Sequence, residues 1–272
     1  MTRTLILCAG LLLPLAAAAQ SGTPAPAPAP AETQHARYRV FLIGDSTVAR
    51  SSGWGGSFCA AHVKPEAACV NLARGGRSSG SFRAEGLWDA ALEQVRKGGA
   101  ARTWVLIQFG HNDQPGKPGR STDLAIEFPA NLARYVDEVR AAGAVPVLVT
   151  PLTRRSFTDG RLQNDLAPWA EAVRRVAAQK KVALVDLNAR SAAAVQAMGE
   201  EAADRFAQAP KPAAPAAPKP PQATEVVVNP AARPKLAFDR THLGREGADY
   251  FARMMAGELA RAVPGMRRVL IR

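Results

Sequence analysis

The sequence predicts an α/β protein, a three-layer α/β/α sandwich around a five-stranded parallel sheet. Five short runs rich in Val, Ile and Leu each end in turn residues and give way to a helical pattern. The runs are mostly continuous rather than alternating in polarity, as expected of parallel strands covered on both faces. Strands alternating with helices imply right-handed crossovers and helices on both sides of the sheet.

The elements follow in order. Arg3, an apolar stretch over residues 4–15 and Ala17-Ala18-Ala19 read as a signal peptide covering residues 1–19. That stretch is too short to span a bilayer comfortably. Residues 20–36 are Pro/Ala-rich and read as an extended linker, so the folded domain is expected over 37–272. Strands are expected at 38–43, 69–72, 104–109, 145–149 and 182–185. Apolar residues at helical spacing mark helices at 87–97, 124–142, 166–180, 188–207 and 244–263. A proline-rich tract at 209–221 can be neither helix nor central strand and reads as a surface insertion.

Composition narrows the classes of function. With 272 residues and 47% hydrophobic content, the chain supports one sizeable core. The formal charge is +12, but the basic residues are scattered and no nucleic-acid module is present. The charge would suit an acidic polymer outside the cytoplasm. Cys8 falls within the leader, which leaves Cys59 and Cys69. An even pair in an exported protein points to a disulfide, the alternative being two buried thiols. No His/Cys/Asp/Glu cluster has metal-ligand spacing, so no metal or other cofactor is expected.

Ligands of open α/β sheets bind at the carboxyl ends of the strands. Four polar or Gly-rich turns fall there: GDS (44–46), GGRSS (75–79), GHND (110–113) and PLTRR (151–155). Ser46 follows the first strand and is a candidate nucleophile; a turn or helix-cap serine is the plainer reading. Of the four histidines, His35 lies in the linker, and His62 lies in an unassigned segment. His111 and His242 remain as candidate bases. His242 has Asp239 three residues earlier, close enough to hold one ring nitrogen and leave the other for Ser46. Ser46 N–H, Gly76 N–H and the Asn112 amide could supply oxyanion donors from three turns. Arg77, Arg154 and Arg155 follow strand ends and could pair with a substrate carboxylate. Glu85, Asp89 and Glu93 share a helical face and read as solvated.

Taken together, IGDS, ARGGRS, FGHND and DRTHL resemble the four blocks of the SGNH (GDSL-type) hydrolases, in family order. GDSTVA, GWG, NLARGGRSSGSF, EGLW and DRTHL followed by GREGA are most similar to the rhamnogalacturonan acetylesterases. The long 209–221 tract and the Cys59/Cys69 pair depart from the family pattern. The resemblance implies a flavodoxin-like SGNH fold with catalytic Ser46, Asp239 and His242 and an oxyanion hole of Ser46, Gly76 and Asn112. It further implies a monomeric, cofactor-free esterase acting on an acetylated, acidic polysaccharide. Neither nucleic acid nor stable membrane insertion is expected. Localisation is expected to be periplasmic or extracellular. A lipase or thioesterase of the same fold, or an esterase of another acetylated sugar, is the alternative enzyme; a non-catalytic carbohydrate-binding protein is the alternative outside enzymes.

Overall fold

The computed structural model describes residues 36–212 and 238–271. The expected signal peptide (1–19), the expected linker up to residue 35 and residues 213–221 of the proline-rich tract lie outside them. In chain order the strands are β1 (Tyr38–Gly44), β2 (Ala67–Asn71), β3 (Arg102–Gln108), β4 (Val145–Val149), β5 (Phe157–Thr158), β6 (Arg161–Leu162) and β7 (Ala183–Val185). The helices are α1 (Gly55–Ala61), α2 (Ser81–Ala84), α3 (Leu87–Arg96), α4 (Glu127–Ala141), α5 (Ala167–Lys180), α6 (Leu187–Asp204) and α7 (Arg245–Ala262). Five strands form a parallel sheet in the order β2-β1-β3-β4-β7, while β5 and β6 pair as a small antiparallel hairpin.

Successive side chains of each buried strand point to opposite faces, so each strand feeds two cores. Val40, Leu42, Leu106 and Val147 meet α1, α6 and α7 through Phe58, Val195, Phe251 and Met255. Phe41, Ile43, Val105 and Ile107 meet α3, α4 and α5 through Trp88, Leu92, Tyr135 and Val173. This is the expected three-layer sandwich.

The differences from expectation are local. β2 begins at Ala67 rather than 69, because Ala67 and Ala68 pair with Tyr38 and Arg39 despite their weak strand preference. β3 likewise starts at Arg102, opposite Tyr38. The helix expected over 188–207 ends at Asp204 and is interrupted at Gly199, whose φ of 79° no helix accommodates. α1, α2 and the β5–β6 hairpin were not anticipated. α1 is built from GGSFCAA, which has too few large residues to show a period.

The chain leaves β1 toward β2 on one side and returns to β3 on the other. The carboxyl ends of β1 and β3 therefore flank the topological switch point, where such sheets open a crevice.

Cys59 of α1 and Cys69 of β2 are joined by a disulfide, with Cα atoms 5.4 Å apart. The closed loop is short, so replacing both cysteines with Ser should lower the unfolding free energy by about 2–3 kcal/mol. Denaturant titration of the double variant checks this. An unchanged midpoint would mean the bridge adds nothing to stability.

Candidate active site

β1 runs into a turn fixed by its own side chains. Asp45 Oδ1 accepts from the Thr47 N–H (2.8 Å) and the Thr47 hydroxyl (2.7 Å). Gln108, at the end of β3, donates to Thr47 Oγ1 (2.8 Å) and accepts from the Trp54 indole (3.1 Å). A Cβ on Gly44 would lie 2.5 Å from the Gln108 carbonyl oxygen, so only glycine allows the two strand ends this close. Ser52 donates its hydroxyl to the Ser46 carbonyl at 2.7 Å. These contacts hold Ser46, which is only 8% exposed, at the switch point.

Asp239 and His242 arrive on a loop just before α7. The Ser46 hydroxyl lies 2.9 Å from His242 Nε2, and His242 Nδ1 lies 3.1 Å from Asp239 Oδ2. The other carboxylate oxygen of Asp239 accepts from the Thr241 and His242 N–H groups, each at 2.7 Å. Burial pushes the Asp239 carboxyl up, but these donors and the His242 ring outweigh it and hold it below its ordinary value. An ionised Asp239 fixes the ring so that Nε2 is free to accept a proton.

The loop itself is held by Arg155, whose side chain is fully buried. Its guanidinium donates to the carbonyls of Asp239 (3.2 Å), Thr241 (3.4 Å) and His242 (2.9 Å), and its N–H donates to the Arg240 carbonyl (2.9 Å). Burial lowers its pKa to about 10, against the opposing pull of Asp239 and Asp204. This corrects the expectation that Arg155 faces substrate: both terminal nitrogens are committed to the 239–242 loop, while the buried Nε has no partner.

Asn112 and the Gly75-Gly76 turn close in from the other side. Asn112 Nδ2 donates one N–H to the Arg77 carbonyl at 3.1 Å, which leaves its second for a ligand. A Cβ on Gly75 would be 3.7 Å from Ser46 Cβ, so this turn sits against Ser46. Gly76 has φ of +76°, a region that side chains rarely adopt. The Gly75-Gly76 turn thus lies against Ser46, and Asn112 is bound to the same turn through the Arg77 carbonyl.

Two buried acids lie beneath. Asp45 Oδ2 is 3.4 Å from His111 Nδ1, and neither atom has a hydrogen-bond partner. Burial raises the Asp45 pKa, but the His111 ring and the Thr47 donors outweigh it, and the net shift is downward. His111 therefore faces Asp45 rather than Ser46. Asp113 Oδ1 accepts from Ser79 N–H (2.9 Å), Ser79 hydroxyl (2.5 Å) and Thr122 hydroxyl (3.0 Å), tying the Gly76 turn to the Asn112 turn. Its other oxygen has no partner, and burial pushes its pKa up to about 6 despite these donors.

The remaining arginines differ in availability. Arg77 is paired with Glu85 at 2.8 Å. Arg154 donates to the Thr241 hydroxyl at 3.2 Å and is paired with Asp165. Sequence reasoning missed Arg120, whose Nη1 lies 3.6 Å from where a Gly76 Cβ would be. Arg120 has no ion-pair partner among the described residues. Nearby Lys117 donates to the His111 carbonyl at 2.5 Å. Its pKa is lowered by burial and then by the charges of Arg154 and Arg120. Both missed residues lie in KPGRS, a loop without periodicity. Glu85, Asp89 and Glu93 are exposed, as expected. Among the described residues, no group of three or more His, Cys, Asp or Glu is placed to hold a metal ion.

Comparison with known proteins places this geometry among relatives. Residues 42–250 match the GDSL-like Lipase/Acylhydrolase family. The chain is 34% identical over 169 residues to the probable rhamnogalacturonan acetylesterase YesY of Bacillus subtilis, an alignment covering 60% of this chain and 76% of that protein. It is 37% identical over 177 residues to the rhamnogalacturonan acetylesterase RhgT of Bacillus subtilis, covering 62% and 72%. The crystal structure of the Bacillus subtilis protein YxiM is similar, with a TM-score of 0.63 and 25% identity. That similarity covers 84% of this chain and 57% of YxiM, so the chain spans little more than half of that structure.

Two variants probe the supports of the site. Lys at 155 cannot reproduce a guanidinium that reaches three carbonyls. Arg155→Lys should lower kcat by about 10²-fold, the scale of a small misplacement of catalytic groups, and should also lower the thermal midpoint. A variant of unchanged kcat would show that the loop holds itself. Asp113 binds its proton more tightly folded than unfolded, so its contribution to stability falls as pH rises from about 4 to about 6. The cost amounts to about 3 kcal/mol once both states are ionised. Asp113→Asn stays neutral, so its stability relative to the wild type should rise through that window. Paired melting curves from pH 4 to 7 read the difference; a flat difference would mean that Asp113 titrates normally.

Proposed function

Because the chain belongs to the GDSL-like lipase/acylhydrolase family, we propose that it is an exported serine esterase removing O-acetyl groups from an acidic polysaccharide, pectic rhamnogalacturonan first among them. The observation that carries the chemistry is the Ser46–His242–Asp239 chain, at 2.9 and 3.1 Å. His242 takes the Ser46 proton as Oγ attacks the acetyl carbonyl. The Ser46 N–H, the Gly76 N–H and the free Asn112 N–H stabilise the oxygen that becomes negative. His242 returns the proton to the departing sugar hydroxyl, leaving an acetyl-enzyme on Ser46. Water, deprotonated by His242, then attacks the acetyl group and releases acetate and free Ser46.

The substrate class is supported by two relatives named rhamnogalacturonan acetylesterases. It is further supported by Arg120 beside Gly76 and by Lys117 on the His111 carbonyl next to Asn112, cations that suit a uronate carboxylate next to the acetylated sugar. Export is supported by the leader-like residues 1–19 and by the Cys59–Cys69 bridge, since disulfides persist in oxidising compartments.

Acetate release from acetylated rhamnogalacturonan, acetylated xylan and long-chain p-nitrophenyl esters tests the reading. The first should be the best substrate and the last the poorest; the reverse order would make the protein a lipase-like member. Ser46→Ala should abolish acetate release in a folded protein. Asn112→Ala should cost about 10²–10³ in kcat with little change in KM. A loss confined to KM would make Asn112 a binding residue.

A further inference from the structure

Away from the catalytic atoms, α1 and α7 enclose a trench with a strongly basic lining. It consists of two cavities, of 820 and 390 Å³, that share His62 and Arg253 and so run into one another. The larger starts at Arg50 and Arg245. Arg50 is four residues beyond Ser46 and Arg245 three beyond His242, so short segments of chain link this end to both. The smaller ends at Arg261 and Arg267, at the far end of α7. From 245 to 261 at 1.5 Å per residue, the trench is about 24 Å long.

Its charge is unbalanced. Five arginines line it, against one acid, Asp249. Asp249 is 3.8 Å from Arg245, and both are largely exposed, so they are weakly paired. Arg261 is paired with Glu258. Arg50, Arg253 and Arg267 have no ion-pair partner among the described residues, and all three are exposed. Between them the walls are small residues, Gly56 and Ala60 on α1 and Gly257 on α7. The Cys59–Cys69 bridge ties the α1 wall to the sheet. The result is an open, fixed channel with guanidinium groups along its length.

The geometry points to a second binding site, for an unesterified stretch of acidic polysaccharide, which holds a long polymer while Ser46 works on a neighbouring acetylated unit. The inference rests on the acetylesterase reading for the identity of the polymer and on the trench alone for its charge. Planar guanidinium groups pair with carboxylates in bidentate fashion, and a row of them selects a repeated anion. A single-stranded nucleic acid is the less suited polyanion, because no Phe, Tyr or Trp lines either cavity and His62 alone offers a ring on which a base could stack.

The test uses the full chain and unacetylated polygalacturonate, which offers no ester to cleave. Titration calorimetry at low salt should detect binding that weakens as salt rises. Arg50→Gln, Arg253→Gln and Arg267→Gln combined should weaken it about tenfold, the sum of three exposed charge contacts. The same positions changed to Lys should restore only part of it, since an ammonium keeps the charge but not the bidentate pair. The Gln variant should raise KM on long acetylated polymer and leave turnover of p-nitrophenyl acetate unchanged. Undiminished polygalacturonate binding by the Gln variant would overturn the proposal, as would equal or tighter binding of single-stranded DNA through the same arginines. If polygalacturonate binds through the trench but no acetylated polysaccharide is deacetylated, the acetylesterase reading fails and the trench stands. If long and short acetylated substrates are deacetylated equally by wild type and variant, the trench fails and that reading stands.

Discussion

The placement of His242 depends on one buried guanidinium. Ser46 and His242 are 196 residues apart in sequence, and the loop carrying His242 is not a sheet strand. A loop of that kind needs donors for its carbonyls once it leaves water. Arg155 supplies them to three carbonyls of the loop, and its own backbone N–H supplies a fourth. Burying a charge against neutral carbonyls is costly unless the geometry is well satisfied. Asp239 lies close enough to offset part of that cost. The same carboxylate orients His242, so the clamp and the proton relay share one charge.

The nucleophile side is organised differently. The turn after β1 hangs on a relay of neutral groups, from the Trp54 indole through the Gln108 amide and the Thr47 hydroxyl to Asp45. The turns that bear Gly76 and Asn112 are joined through Asp113 and Ser79. Such networks are rigid when fully satisfied and costly when broken. Asp45 Oδ2, His111 Nδ1 and Asp113 Oδ2 are the incompletely satisfied members on this side, as Arg155 Nε is on the other. Polar groups this poorly served are expected where function, rather than stability, sets the arrangement.

Much of this was legible in the chain. Continuous apolar runs marked the five strands of the sheet, because burial on both faces leaves no polar alternation to hide them. Ser46, Gly76, Asn112 and His242 stood out because each lies in a short polar motif at or beyond a strand end. What could not be read was direction. Arg154 and Arg155 are neighbours in PLTRR, yet one remains partly exposed and the other is fully buried. Only the return of the chain at 239–242 decides which turns inward. Arg120 was invisible for a related reason: its nearness to Gly76 is a contact between loops that no local pattern records. α1 was missed because Gly and Ala pack closely against α7 without leaving a hydrophobic period.

The ends of the excursion from 208 to 242 are pinned together. Ala207 and Leu243 form an isolated bridge, Gly244 donates to the Phe206 carbonyl at 2.8 Å, and Leu243 donates to the Ser52 carbonyl. Closing a loop whose ends are already fixed costs only about 0.6 kcal/mol more for each doubling of its length. Catalysis is thereby insulated from the length of the intervening segment. Residues 213–237, which stop short of Asp239 and His242, are therefore the natural point at which to graft a tag or a second domain.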